Sequence, residues 1–470
     1  MEPEGRITYK CRRTVSSFVP VQPGRFHRLS ALDLAMEPNS IRAVFYYPRF
    51  PSAASSCRAG TSFTARLRDS LSEVLGSYPV ATGRLQRAAE GRGSWVVKCN
   101  DAGVRIMEAR ARGSVEEWLL AGKLERQREM ELVFWEDVYE RPYFWSTFYV
   151  QLTEFEGGGL AIGVSCSHML ADAACLTMLV KSWADMNLLG KILSPPDFHP
   201  FPPRTTAGGF TPVDPHRPLF SPPIDHYKSA AAETEDHSTA SYKSQRRFNT
   251  VAFAFSEETV RSIVNDSCPA GGDAPTAFQA LAALFWASIS RAKGSTRGLV
   301  DISVCVDARG ALGLSKSFFG NALAFNGVPG GGVEEGRLDM AAKAVADAMT
   351  HLDKPGVMGL IEWLEAAHEE TSGPTKMTLC GPRLLFANWE DLGPYVATFE
   401  PGIRPIRVSY YLEPVVGEGQ VLVLPLARGH AGSVGRVVMV TLPDEQLDVL
   451  CGDVLILGYE PEMLMGPNKT

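Results

Sequence analysis

Apolar and polar positions change period repeatedly along this chain, and each change predicts an element. The run 41–47 (IRAVFYY) is β-branched and aromatic and stops at Pro48, which predicts a strand. Leu67, Leu71, Val74 and Leu75 fall at i, i+4, i+7 and i+8, one face of a helix that Gly76 and Pro79 close. Residues 148–152 and 160–166 read as further strands, and Leu176, Leu179, Val180 and Trp183 form a second helical stripe. The second half repeats the style. A mostly apolar helix is expected over 277–291 and a strand over 300–306. Strands over 421–426 and 434–442 are expected as neighbours across a glycine-containing loop, with Pro443 starting a short last helix. Strands mixed with helices in both halves predict two α/β layered domains.

Between them, residues 194–223 hold ten of the 32 prolines, and small polar residues follow over 229–241. Proline cannot continue a helix or a central strand, so 194–245 reads as a crossover linker between domains 1–193 and 246–470. No repeat of fixed period is evident.

The chain has 470 residues, enough for two or three domains with a large core. Lys+Arg 46 against Asp+Glu 53 gives a net charge of −7, which excludes a protein living mainly on phosphate contacts and so argues against nucleic-acid binding. The basic runs at 10–13 and 246–247 read as solvated loop charges. Nine scattered cysteines, none within four residues of another, fit neither a disulfide framework nor a CxxC site, and suggest reduced thiols in the cytoplasm. The polar start lacks the apolar core of a secretory signal, and no apolar run reaches the ~18–20 residues of a membrane span. Docking on a membrane or a membrane protein stays open.

Hydrolase and nucleotide fingerprints are absent: no G-x-S-x-G, no G-x-x-x-x-G-K-[ST], and no G-x-G-x-x-G after a strand. His368-Glu369 begins a zinc-protease motif, but position 372 is Ser, and no metal site is expected. What remains is His168-Met169-Leu170-Ala171-Asp172, following a buried-looking strand and opening a helix. His168 is placed where a loop presents a side chain to a cleft. Asp172 stands where an N-cap carboxylate is favoured, and it reads as structural, a cap or a buried ion pair.

An ordered set of motifs around this pair resembles the plant BAHD acyltransferase superfamily over about 28–450. Leu29-Ser30-Ala31-Leu32-Asp33, Tyr78-Pro79 with Gly83-Arg84-Leu85, and Cys99-Asn100 with Gly103-Val104 carry the first part. Gln151-Leu152-Thr153 and Gly157-Gly158 lead to His168, and Ala280 to Trp286 and Arg291 match the family helix. Val306-Asp307-Ala308-Arg309 and Phe318-Phe319-Gly320-Asn321 complete it. The resemblance implies two similar chloramphenicol-acetyltransferase-like mixed α/β domains with a central channel, in which a strand of the second domain can exchange into the first. It implies acyl-CoA as donor substrate, no permanently bound cofactor, and a monomer. His168 would be the general base for an acceptor hydroxyl or amine, a role contributing ~10²–10⁴-fold. Asp172 would pair with Arg309 and hold the loop.

The chain departs from the family at D-F-G-W-G, where it reads Asn388-Trp389-Glu390-Asp391-Leu392. The resemblance gives that motif a structural place at the domain interface, away from the base. Thr378-Leu379 stands where the family has Ser/Thr-Trp near the oxyanion, and Ala173 follows Asp172 in place of Gly. These departures, with 33–36, 41–44, 99–105 and 386–392, resemble the eceriferum and glossy cuticular-wax proteins. That subgroup implies very-long-chain fatty-acid elongation beside the condensing enzyme of the endoplasmic-reticulum elongase, with a cytoplasmic protein held there by its partner. The other reading is a conventional O-acyltransferase that uses His168 on a long-chain or hydroxylated acceptor. The CoA-contacting residues are not marked.

Overall fold

The computed structural model describes residues 6–22, 24–50, 63–88, 95–120, 125–137, 141–199, 224–228, 247–370, 383–427 and 435–466. The first-half strands are β1 (Ile7–Val15), β2 (Phe26–Arg28), β3 (Ser40–Tyr47), β4 (Arg84–Arg87), β5 (Trp95–Lys98), β6 (Val104–Ala111), β7 (Phe148–Phe155) and β8 (Leu160–Ser167). Those of the second half are β9 (Phe248–Phe255), β10 (Ile302–Asp307), β11 (Leu323–Val328), β12 (Leu384–Asn388), β13 (Arg407–Glu413), β14 (Gln420–Pro425), β15 (Arg436–Pro443) and β16 (Glu462–Met465). They make a six-stranded sheet (β1-β6-β7-β8-β3-β13), a seven-stranded sheet (β11-β10-β12-β14-β15-β9-β16) and a small sheet (β2-β5-β4). Both large sheets are mixed: β6 runs parallel to β7, and β12 parallel to both β10 and β14.

The IRAVFYY run lies inside β3, an interior strand of the first sheet. It pairs with β8 from Ser40↔Ser167 to Tyr47↔Leu160. Its other edge takes β13, from Arg407↔Tyr46 to Glu413↔Ser40. The first sheet is thus completed by a strand more than three hundred residues later, and β13 drops out of the second sheet between β12 and β14. Buried side chains of both sheets and the helix Ala173–Leu189 share one apolar core. A second core lies on the other face of the second sheet, under the helix Ala277–Ala292.

Local chemistry explains the helix carrying the second stripe. Asp172 caps its start, Gly190 ends it at φ 67°, and Trp183 donates from Nε1 to the Leu67 carbonyl at 2.9 Å, tying it to the helix Phe63–Leu75. Within β8, a Cβ on Gly163 would stand 1.9 Å from the Leu132 carbonyl oxygen. Only glycine lets the segment at 132 cross so close to the strand that leads to His168.

Two expectations change. Pro443 ends β15 and precedes the helix Asp444–Cys451 rather than sitting within it, and that helix is not last, since the turn Val454–Leu457 and β16 follow. The crossover 194–245, most of which lies outside the described residues, is docked where it is described. Asp197 bridges to the 317–319 segment, and residues 224–228 form a helical turn with Ile224, His226 and Tyr227 buried.

That docking carries a pH consequence. Burial, with the nearby Arg383 charge, pulls the His226 imidazole down to about 4. The unfolded chain therefore binds the proton first, at ~6.5. Stability is fully present above that value and falls as pH drops from 6.5 toward 4, by about 3 kcal/mol from this residue. Urea midpoints of wild type and His226→Gln between pH 7 and 4.5 check it: the wild type loses its advantage over the variant as pH falls, and parallel curves would remove the account.

Candidate active site

His168 follows the last residue of β8 and is 2 % exposed. Its backbone is clamped on both sides. The N–H donates to the Asn39 carbonyl at 2.9 Å, and the carbonyl accepts from Asn321 Nδ2 at 2.7 Å. Asn321 is itself held by Asp33, whose Oδ1 accepts from its N–H at 2.8 Å and from its Nδ2 at 2.9 Å. Asp33 closes a capping box with Ser30. The L-S-x-L-D and F-F-G-N stretches, far apart in sequence, therefore act together on the His168 carbonyl.

Asp172 is fully buried and has three kinds of partner. As N-cap it accepts from the Cys175 N–H at 2.9 Å. It accepts from the Ala322 N–H at 3.3 Å. It pairs with Arg309, whose Nη2 lies 2.9 Å from Oδ2. Arg309, placed just after β10, also donates to the Gly320 carbonyl at 2.8 Å and pairs with Asp307 at 3.0 Å. Burial alone would lower the Arg309 pKa, but the charges of Asp172, Cys175 and Asp307 and the hydrogen bond to Asp172 together outweigh it and raise the pKa. Asp172 makes no hydrogen bond to the imidazole, so its hold on His168 runs through the backbone.

The imidazole faces a different environment. Its Nδ1 is buried and has no hydrogen-bond partner among the described residues. Burial lowers its pKa, against the opposing pull of the Asp172 charge and of Asn321. The ring is therefore neutral near pH 7, the form that can take a proton. It lines a cavity of about 10 Å³, space for about one water, with Asn39, Leu323, Leu385, Trp389 and Leu412 among the walls.

Trp389 corrects one expectation. The degenerate stretch was expected away from the base, yet Trp389 shares the cavity with His168. Asn388 ends β12, and the Trp389 N–H donates to the Val423 carbonyl at 2.9 Å, which turns the indole inward. The ring is 4 % exposed and packs edge-on to Tyr410 of β13 at 5.8 Å, while its Nε1 has no partner among the described residues. Glu390 pairs with Arg436 of β15, Leu392 donates back to the Trp389 carbonyl, and Asp391 is exposed. Thr378 and Leu379 lie outside the described residues. The sequence reading also missed Asn39 and Leu412 as cavity walls. No signal marks them, because Asn39 reaches His168 only once β3 pairs with β8, and Leu412 only once β13 pairs with β3.

Among the described residues no group of three or more His, Cys, Asp or Glu could hold a metal ion, and every described cysteine is a free thiol. No described helix is long and apolar enough to cross a membrane.

Comparison with known proteins fits this arrangement. A family model described as Transferase family matches residues 6–454. Protein ECERIFERUM 26 of Arabidopsis thaliana is 26% identical over 446 residues, covering 93% of this chain and 92% of that protein. Among solved structures, vinorine synthase superposes with a TM-score of 0.67 at 18% identity, over 96% of this chain and 98% of the other. TRI101 of F. sporotrichioides, solved with coenzyme A and T-2, superposes with a TM-score of 0.68 at 15% identity, over 94% and 100%.

Proposed function

From the premise that this chain belongs to the Transferase family of BAHD acyltransferases, we propose that it acts in very-long-chain fatty-acid elongation toward cuticular wax, together with the condensing enzyme of the elongase. The observation that carries this reading is the small size of the cavity at His168. An acyl transfer needs room for a thioester carbonyl and an acceptor oxygen beside the base. Here about 10 Å³ is left, and Trp389 and Leu412 fill the rest. The likeness to an eceriferum protein supports the same biology. In this reading acyl-CoA is the ligand, His168–Asp172–Arg309 keeps the domain interface in register, and the protein reaches the endoplasmic reticulum through its partner.

A second reading has its own support. The neutral imidazole with a free Nδ1, on a backbone clamped at both sides, is poised as a general base. A conventional transfer from acyl-CoA to a hydroxylated acceptor would use it in that role, with Asp172 and Arg309 supporting the loop. Acyl-chain profiles of yeast carrying a plant condensing enzyme separate the two. Wild type and His168→Ala are expected to lengthen the chains alike. Lengthening by the wild type alone would give His168 a chemical role within elongation, and lengthening by neither would remove the elongation role.

A further inference from the structure

A larger cavity, of about 280 Å³, lies apart from the His168 cavity, between β13 of the first sheet and β9, β15 and β16 of the second. Its walls are mainly aliphatic: Leu119, Val408, Leu426, Val437, Met439 and Leu464. Arg407, at the start of β13, lines it as well and is 8 % exposed. Its guanidinium donates one hydrogen bond, from Nη1 to the Leu464 carbonyl at 2.8 Å, and among the described residues it forms no ion pair. The buried carboxylate of Glu129 is already engaged, accepting from Tyr46, Ser409 and Tyr411. Glu462, which also lines the cavity, is exposed and makes no ion pair with Arg407.

A guanidinium carries five N–H donors in a planar fork that matches a carboxylate. Burying that charge with one carbonyl as its hydrogen-bond acceptor, and with neither Glu129 nor Glu462 in an ion pair with it, costs free energy that an anionic ligand would offset. The walls select the rest of the ligand. Apart from Arg407, Tyr395, Ser409 and Glu462 they are alkyl surface, which suits a flexible chain better than a flat ring. The volume is near the lower end of the ~300–1,000 Å³ of ligand pockets. At ~30 Å³ for each water-sized unit it holds roughly ten chain atoms.

We propose that this cavity binds a medium-length, unbranched fatty carboxylate, with Arg407 receiving the carboxylate and the chain lying along β13 and β15. The proposal does not depend on whether His168 acts as a base.

Titration calorimetry on the full chain tests it with decanoate, decanol and 4-coumarate as probes. Decanoate is expected to bind more tightly than 4-coumarate. Arg407→Gln is expected to weaken decanoate about tenfold or more and leave decanol unchanged, and Arg407→Lys to recover part of the loss. Met439→Trp fills the cavity without touching the cation and is expected to abolish binding of both C10 probes, so the test survives if Arg407→Gln does not fold. His168→Ala is expected to leave decanoate binding unchanged. No decanoate binding by the wild type, undiminished binding in Arg407→Gln or Met439→Trp, or loss in His168→Ala would each overturn the assignment.

Discussion

Arg309→Met is expected to destabilise the chain by about 3–5 kcal/mol, read as the shift in unfolding free energy at pH 7. The reason is the charge it strands. Asp172 is fully buried, and without Arg309 its carboxylate keeps only the N–H donors of Cys175 and Ala322. The Gly320 carbonyl loses its 2.8 Å donor in the same step. Asp172→Asn is expected to cost less, because Arg309 keeps Asp307 at 3.0 Å and the Asn side chain can still cap the helix. The double variant Asp172→Asn/Arg309→Met is expected to be more stable than the sum of the singles predicts, since no unpaired buried charge remains. His168→Ala, by contrast, removes a ring with an unpartnered nitrogen and is expected to cost only about 1–2 kcal/mol. Additive singles, or a His168 variant as unstable as Arg309→Met, would mean the ion pair does not hold the domains as described.

Trp389→Ala is expected to cost about 3–5 kcal/mol as well, by a different cause. The indole is 4 % exposed, packs on Tyr410, and stands between the two sheets. Truncation leaves a cavity continuous with the one at His168, too apolar to fill with water. A small apolar molecule such as benzene should therefore raise the melting temperature of Trp389→Ala and leave the wild type unchanged. Trp389→Phe isolates the role of the indole N–H. Since Nε1 has no partner, Phe loses only volume and is expected to cost about 1–2 kcal/mol. If Phe costs as much as Ala, the N–H has an essential partner and the cavity is not the plugged space described. The two tests are complementary: the first reports on charge that ties the domains together, the second on the packing that keeps the base closed in.

Sequence reasoning reached elements whose signal is local. The IRAVFYY run lies in β3 because every residue but Arg42 is buried there, between β8 and β13. The stripe from Leu176 to Trp183 lies in a helix that Asp172 caps through a bond to a residue three positions on, which spacing alone can suggest. The motifs that mark the family were legible as strings, and the structure gives several of them one physical purpose. Asp33, Asn321, Asp172 and Arg309 grip the same five-residue loop.

What the sequence by itself determined, then, is where chain of each period begins, which face of each element is apolar, and the presence of His168 beside a capping carboxylate. The tertiary structure alone decided which strands meet. A strand's periodicity specifies its buried face but not its partner, because pairing is a long-range choice among many compatible edges. For that reason nothing local announces that β13 completes the first sheet. The entry of β13 places Tyr410 against Trp389, Leu412 beside His168, and Arg407, which has no ion pair among the described residues, in the wall of a cavity. Whether the base is open or closed follows from that pairing and not from the five residues that carry the base.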